Sequence, residues 1–282
     1  MSGVQRGHID AHVHVWTPDV TAYPLASGYE ARNMVPPSFT PEELFAHARP
    51  EGITRVVLIQ MSFYRFDNRY MTDMIARHRG VFSGVGIIDE NAADVRGRMK
   101  ELARQGVRGF RINPGKQSVA AWLGSSGMAE MWRVAADEGL SICPLINPEA
   151  LPGIDEMAAR YPKTSVVIDH FARIGVGGVI RREDLDQLVR MAARPRVQVK
   201  TSAFYALGRK QAPYTDLGPM IRELRDSYGA QRLMWASDCP FQVGGGHSYR
   251  DSIALIRDRL DFLTRDERDW ILRKTAEQVF FS

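Results

Sequence analysis

Short hydrophobic runs recur at regular intervals along the chain, and segments of helical periodicity separate them. Most of these runs are apolar almost throughout rather than alternating, which is typical of parallel strands that are buried on both faces of a sheet. The pattern predicts eight strands, over residues 8–15, 55–60, 82–88, 107–112, 140–146, 165–170, 197–202 and 233–238.

The helical segments carry recognisable start signals. Thr40-Pro41-Glu42-Glu43 combines an N-cap threonine, a proline at the first helical position and a glutamate three residues after the cap. Thr264-Arg265-Asp266-Glu267 opens the last segment in a similar way. Beyond the helix that begins at Pro41, the periodicity predicts helices over 91–105, 127–138, 151–160, 183–193, 216–228, 249–262 and 264–279.

The alternation of eight strands with helices predicts a (β/α)8 TIM barrel, with 1–282 as a single domain and an extra C-terminal helix. A doubly wound open sheet is the alternative. That fold normally carries a glycine-rich nucleotide loop after the first strand, where this chain has HVHVW. The last helix, 264–279, would serve equally to close the barrel or to form the interface of a homo-oligomer.

Composition narrows the class of protein without naming a function. The chain is 44% hydrophobic and 25% charged, and its net charge of +4 comes without a cluster of basic residues, so we expect no nucleic-acid partner. Cys143 and Cys239 form no CxxC motif, which suits a reducing compartment. The first ten residues lack an apolar signal core, and no run is long enough to span a membrane. We therefore expect a cytoplasmic protein without a membrane partner.

The candidate chemistry lies at the ends of the predicted strands, where the functional site of such a barrel forms. His12 and His14 end the first strand two residues apart, so they share a face. The sixth strand ends in Asp169-His170, and the eighth ends at Asp238. Independent segments therefore bring three imidazoles and a carboxylate to one rim, and we predict that they form the site.

Cationic and aromatic residues near the same rim predict an anionic small-molecule ligand, because arginine binds carboxylates through two parallel hydrogen bonds. The candidate substrate-binding residues are Arg111, Arg173, Lys200, Arg209, Tyr64 and His247. His247 belongs to the glycine-rich stretch 242–249, which is either a lid or a plain connection.

Each candidate also has a structural interpretation. The histidines would serve as hydrogen-bonded core residues, and Asp238 would cap the turn before Pro240. Arg111 and Lys200 would form ion pairs between neighbouring strands. The joint placement of His12, His14, His170 and Asp238 at the ends of three strands favours a site.

Four segments carry a resemblance to a known family: DAHVHVW, VIDHFAR, VKTS and WASDCPF. They resemble the amidohydrolase superfamily, and within it the amidohydrolase-2 branch with its pyrone dicarboxylate, sugar and muconolactone lactonases. The resemblance runs from residue 8 to about residue 240. Binuclear members bridge two metals through a lysine or glutamate on strand 4, where this chain offers Arg111, so we expect no binuclear centre. Related decarboxylases carry a further histidine where this chain has VKTS.

The resemblance implies a hydrolase that opens a carboxylate-bearing lactone in aromatic-compound catabolism. Asp238 would act as the general base, His12, His14 and His170 would polarise the carbonyl, and Arg173 would grip a carboxylate. No metal is required in that scheme. In the alternative, His12, His14, His170 and Asp238 hold one divalent ion such as Zn²⁺ in a hydrolase or decarboxylase. A non-catalytic small-molecule-binding barrel is the remaining alternative.

Overall fold

The computed structural model describes residues 7–282 and confirms the predicted barrel. Eight strands form one sheet in the order of the sequence, and every neighbouring pair is parallel. The strands are β1 (His8–Val13), β2 (Ile53–Ile59), β3 (Phe82–Gly86), β4 (Val107–Ile112), β5 (Ser141–Pro144), β6 (Ser165–Ile168), β7 (Val197–Thr201) and β8 (Leu233–Trp235). Most of the stretch without a signal core, residues 1–6, lies outside the described residues.

Every predicted strand is present, but seven of the eight end earlier than the hydrophobic pattern suggests, and only β4 ends at the predicted residue. β8 ends at Trp235, and β6 ends at Ile168, so Asp238 and His170 lie in the loops that follow them. The predicted ends were wrong because the polar residues of the barrel mouth continue the apolar runs without a break in the sequence. The site residues therefore lie at or just beyond the last paired residue of each strand.

Helices surround the sheet, and eleven α-helical segments occur among residues 7–282. They are α1 (Pro41–Ala48), α2 (Arg69–Arg77), α3 (Val95–Arg104), α4 (Val119–Leu123), α5 (Ser126–Glu138), α6 (Leu151–Arg160), α7 (Arg182–Arg190), α8 (Gly218–Tyr228), α9 (Tyr249–Ala254), α10 (Arg265–Asp269) and α11 (Thr275–Phe280). A wider, π-helical turn extends α9, and another joins α10 to α11. Within this part of the chain, no helix has the length and apolar character of a membrane span.

The predicted start signals are confirmed at both capped helices. The Thr40 hydroxyl accepts a hydrogen bond from the backbone N–H of Glu43, and the Glu43 carboxylate accepts one from the backbone N–H of Thr40. Thr264 and Glu267 form the same reciprocal pair. Helices α2 and α4 were not predicted. At α2, the preceding residue Asn68 accepts no capping hydrogen bond, and its side-chain amide instead donates to the carbonyl of Ile87 after β3.

The interior of the barrel is a separate hydrophobic layer. Ile9 and Ala11 of β1 pack there with apolar residues of β2, β3, β5, β6 and β8. Ala276 and Phe280 of α11 belong to the same cluster, so the C-terminal helix covers the end of the barrel opposite the strand ends. Of the two roles that the sequence left open for this segment, the structure shows the closing of the barrel.

The barrel has a seam between β8 and β1. Among residues 7–282, the two strands form no ladder, and a single parallel bridge joins Val13 of β1 to Cys239 in the loop after β8. The buried carboxylate of Asp10 replaces part of that ladder, because it accepts hydrogen bonds from the backbone of Ser237 and His12 and from the hydroxyl of Tyr249. Burial raises the pKa of Asp10 to about 6. The seam thus fixes His12 of β1 relative to the loop that carries Asp238.

We predict that Phe280→Ala lowers the free energy of unfolding by about 3–5 kcal/mol, because it leaves a cavity at the closed end of the barrel. Gln278→Ala, at an exposed position of the same helix, should change it by less than about 0.5 kcal/mol. Urea unfolding, followed by circular dichroism, measures both. Equal stability of the two variants would contradict the closing role of α11.

Candidate active site at the barrel mouth

Three imidazoles and one carboxylate converge at the C-terminal end of the barrel, as predicted. Asp238 Oδ1 lies 3.4 Å from His12 Nε2, 3.5 Å from His14 Nε2 and 3.7 Å from His170 Nε2. The two histidines of the HxH motif are 3.3 Å apart between their Nε2 atoms. All four residues are buried. Segments from both sides of the seam and from β6 therefore meet at one carboxylate oxygen.

A left-handed turn after β6 places two of the site residues. His170, Phe171, Ala172 and Arg173 have φ angles of 51°, 53°, 53° and 60°. Such backbone costs about 1–2 kcal/mol per non-glycine residue, so the surrounding packing must hold it in place. Phe171 and Ala172 are fully buried and anchor the turn. Because the turn is so tight, His170 and Arg173 both border the same cavity.

The hydrogen bonds of the Nδ1 atoms of His14 and His170, which point away from Asp238, fix how these two imidazoles face the carboxylate. His14 Nδ1 lies 2.9 Å from the carbonyl oxygen of Ile59, which only accepts, so this nitrogen carries the proton. His170 Nδ1 lies 2.8 Å from the hydroxyl of Ser202. In neutral His14, the Nε2 atom that faces Asp238 is therefore an unprotonated lone pair.

A buried ionic cluster lies below the histidines. Asp169 pairs with Lys200 at 2.9 Å and with Arg111 at 3.1 Å, and Arg111 Nη2 lies 2.7 Å from His12 Nε2. Lys200 Nζ is also 3.2 Å from His12 Nδ1. His12 therefore has a cation beside each ring nitrogen and must be neutral.

The electrostatics agree with this arrangement. Burial, followed by the charge of Lys200, lowers the pKa of His12 well below its ordinary value. Burial also lowers the pKa of His170. Burial alone would raise the pKa of Asp169, but Lys200, His12 and Arg111 outweigh it and hold that pKa well below the usual range. Burial would likewise raise the pKa of Asp238, but the interaction with His170 and a hydrogen bond with His14 outweigh it and hold that pKa below the ordinary value. Asp238 is therefore an ionised carboxylate at neutral pH.

A cavity of about 360 Å³ opens above this cluster. Asp238, His14, His170 and two arginines, Arg111 and Arg173, form its polar side. Apolar residues line the rest of the cavity, among them Met61, Leu145, Val176 and Phe241. Its size and mixed lining suit a compact small molecule with an anionic edge.

Tyr205 is a site residue that the sequence did not identify. Its hydroxyl donates to Asp238 Oδ2 at 2.8 Å, and the residue borders the cavity. Tyr205 lies four residues after β7, and the only signal for it was an aromatic side chain in the loop that follows VKTS. With Tyr205 on Oδ2 and the imidazoles around Oδ1, both oxygens of Asp238 are held in place.

Four of the residues predicted to bind substrate lie elsewhere. Lys200 is fully buried in the ionic cluster, as the structural alternative expected. Tyr64 is buried among aromatic rings, including those of Phe63 and Tyr70. These two side chains do not border the cavity, because their strand and loop turn them into the core.

The two remaining residues belong to the loops above the mouth. Arg209 is exposed and outside the cavity lining, with its backbone bound to Asp216. His247 is outside the cavity lining: its Nδ1 lies 2.8 Å from the hydroxyl of Tyr214, and its ring is 6.0 Å from the ring of Tyr205, which does border the cavity. Gln242 donates to Tyr214 and to the backbone of Ser248, so the glycine-rich stretch is anchored at its base.

The donor set has the chemistry of a single zinc site. Ligand atoms of His12, His14 and Asp238 lie within 4.8 Å of one another. Tetrahedral ligands about 2.1 Å from an ion are about 3.4 Å apart, close to the spacings around Asp238. Arg111, however, already donates to the lone pair of His12 that an ion would need. An ion bound through His12 would have to displace this guanidinium.

Comparisons with known proteins agree with this fold and site. The family model described as amidohydrolase matches residues 9–281. The chain is 29% identical over 250 residues to an L-fucono-1,5-lactonase of Burkholderia ambifaria, covering 85% of this chain and 82% of that protein. It is 26% identical over 243 residues to a 2-pyrone-4,6-dicarboxylate hydrolase of Comamonas testosteroni, covering 83% and 77%.

A solved structure from Pseudomonas putida, described as a 2-pyrone-4,6-dicarboxylic acid hydrolase, superimposes with a TM-score of 0.82 at 25% identity and covers 98% of this chain and 97% of its own. The chain belongs to the amidohydrolase family, and the resemblance seen in its sequence is confirmed. It is a hydrolase.

We predict that Tyr205→Phe lowers kcat/KM about tenfold, since a hydrogen bond to a charged group contributes about 1.5–3 kcal/mol. Loss of the hydroxyl favours protonated Asp238, so the acid limb of the pH profile should move to higher pH. Rate measurements across the acid range test this. Tyr161→Phe, far from the cavity, is the matched control, and an unmoved acid limb in Tyr205→Phe would contradict the role.

Proposed function

We propose that the protein hydrolyses a carboxylate-bearing lactone, with Asp238 as the general base. The observation that carries the proposal is the placement of Asp238, an ionised carboxylate at the floor of the cavity whose two oxygens are held by Tyr205 and the imidazoles. Relatives named as lactone hydrolases on two different rings support the reaction class.

The reaction needs few groups. Asp238 takes a proton from water, and the hydroxide attacks the lactone carbonyl to give a tetrahedral oxyanion. The ring C–O bond then breaks, and protonated Asp238 returns its proton to the departing ring oxygen. Water adds across one ester bond, and a hydroxy acid leaves. A carboxylate such as Asp238 is a weak base, but it is sufficient here because the ring ester is already activated toward attack.

The imidazoles contribute to the carbonyl side of the reaction. His14 donates from Nε2 only as an imidazolium, because Nδ1 is committed to Ile59. We propose that His14 in this form, paired with Asp238, polarises the carbonyl together with His170. His12, whose Nε2 lone pair accepts from Arg111, cannot donate to the carbonyl as the resemblance implied, and it helps instead to hold Asp238 in place.

Arg173 supplies the preference for an anionic substrate. Its side chain forms no hydrogen bond or ion pair with residues 7–282, yet it borders the cavity. A guanidinium with free donors at this point suits a substrate carboxylate. Pyrone carboxylates, muconolactones and aldonolactones all belong to the substrate class that we propose.

A second mode of action is supported by the convergence of His12, His14 and Asp238. With His170, these residues would hold one divalent ion such as Zn²⁺, which would polarise the carbonyl and lower the pKa of a bound water. The same cavity and the same base would then serve a metal-assisted hydrolase or decarboxylase.

The test is a pH-indicator assay of a lactone panel with pyrone carboxylates and aldonolactones, run in excess chelator. We expect turnover to survive chelation and Asp238→Asn to lose about 10²–10⁴-fold in kcat, the contribution of a general base. Asp261→Asn, an exposed aspartate on the far side of the barrel, is the control and should retain full activity.

Turnover that chelator abolishes and zinc restores would assign the reaction to the metal-dependent mode. If no lactone is hydrolysed with or without zinc, the lactonase proposal is wrong. Release of CO2 from carboxylated aromatic acids would then identify a decarboxylase.

A further inference from the structure

In the cluster around Asp238, several imidazole nitrogens face one negatively charged carboxylate oxygen, and the charges of the surrounding residues must stabilise this arrangement. The Nε2 atoms of three histidines face one carboxylate oxygen at 3.4–3.7 Å. The Nδ1 atoms of His14 and His170 point outward, to Ile59 and Ser202. Neutral His14 in this orientation directs a lone pair at an anion, so the resting arrangement requires a positive charge close by.

Arg111 brings such a charge to this point. Its Nη2 donates to Nε2 of His12 at 2.7 Å, which uses the lone pair that would otherwise bind a metal. Arg111 comes from β4, and its side chain borders the cavity next to His14, His170 and Asp238. A guanidinium therefore lies where a cation is needed.

One donor of the Arg111 side chain, which borders the cavity, has no partner in the part of the protein that the structure describes. Arg111 Nε is buried and has no hydrogen-bond partner among residues 7–282. Buried donors without partners are rare in native proteins, and one at the edge of a cavity indicates that a ligand atom completes it. An oxygen acceptor of the substrate is the natural partner.

The ionic cluster prevents the guanidinium from turning away. Asp169 holds Nη2 at 3.1 Å, and Lys200 occupies the other oxygen of Asp169 at 2.9 Å. Asp169 and Lys200 are fully buried, so neither partner can exchange with water. Arg111 is thereby fixed between the ionic cluster and the cavity, whereas Arg173 is exposed and unpaired at the rim.

We propose that Arg111 takes the place of the catalytic metal ion. Its guanidinium binds the Nε2 lone pair of His12 and so prevents zinc from binding there. It also donates a hydrogen bond to the lactone oxygen that becomes negative during attack. Arg111 transfers no proton in this step. When the ring C–O bond breaks, the electron pair of the oxyanion re-forms the carbonyl double bond, and the departing ring oxygen takes the C–O electrons and the proton from Asp238. The second half of the proposal rests on the proposed lactone hydrolysis, while the first half does not. Arg111 and Arg173 thus have different tasks, on the reacting carbonyl and on the carboxylate.

Zinc binding tests the first half without any substrate. Zinc affinity is measured by competition with a chromophoric chelator for the wild type, Arg111→Gln, Arg111→Lys and the control Arg173→Gln. We expect Arg111→Gln to bind zinc at least tenfold more tightly than the wild type, and a further His12→Gln change to remove the gain. Arg111→Lys and Arg173→Gln should bind as the wild type does. Stoichiometric zinc in the wild type at the affinity of Arg111→Gln would overturn the proposal.

Kinetics test the second half with two lactones of the same ring, one carboxylated and one neutral. Arg111→Gln in excess chelator should lower kcat about 10²–10³-fold on both, the range for loss of an oxyanion donor. Arg173→Gln should raise KM on the carboxylated lactone alone. Added guanidinium chloride should restore part of kcat to Arg111→Ala. If an Arg111 variant raises only KM, and only for the carboxylated lactone, then Arg111 binds the substrate carboxylate. That result would overturn its role at the reacting carbonyl.

Thermal unfolding of each variant separates these effects from misfolding, and Arg111→Lys keeps the charge if Arg111→Gln is unstable. With a folded Arg111→Lys, a kcat loss on both rings supports the hydrogen-bond role, and full activity overturns it. If the wild type opens no lactone, the proposed function fails, and the zinc titration alone decides whether Arg111 excludes the metal.

Discussion

Burying charge inside the barrel is the constraint on which the rest of the site depends. Lys200, Asp169 and Arg111 lie in a layer that would otherwise be apolar, and each buried ion costs several kcal/mol unless its partners are well placed. The two cations compensate one carboxylate, and the excess positive charge is directed at His12. That excess lowers the pKa of His12, and Arg111 uses its Nε2 lone pair, so this imidazole is a poor proton acceptor. In the proposed mechanism the proton is therefore accepted by Asp238.

The backbone around Asp238 shows how the barrel is closed at the site. Where a β8–β1 ladder would run, the carboxylate of Asp10 receives the backbone N–H groups of His12 and Ser237. The loop after β8 then enters the mouth with Asp238 at φ 65°, which an aspartate tolerates better than most residues. A regular ladder would have left less freedom to turn this side chain inward. The missing pairing between β8 and β1 therefore allows the loop after β8 to place Asp238 in the mouth of the barrel.

Much of this could be predicted from the sequence, because strand order and strand ends determine most of the site. Eight apolar runs predicted the barrel, and the polar residues at their ends predicted the convergence of His12, His14, His170 and Asp238. The pattern could not show whether a polar side chain at a strand end points up to the cavity or down to the core. Lys200, one strand from His170, points down and joins Asp169. Tyr205 was missed because a loop residue has no periodicity that reveals its direction.

The left-handed turn after β6 has a consequence for how this scaffold can diversify. His170 and Arg173 leave the same strained turn, and buried Phe171 and Ala172 lock it between them. A residue inserted or removed there would displace both side chains at once, so the turn fixes the distance between His170 and Arg173, which the proposed mechanism assigns to the carbonyl and to the substrate carboxylate. A substrate of another length would therefore have to be accommodated elsewhere in the lining, for example at Met61 in the loop after β2, which does not depend on this turn.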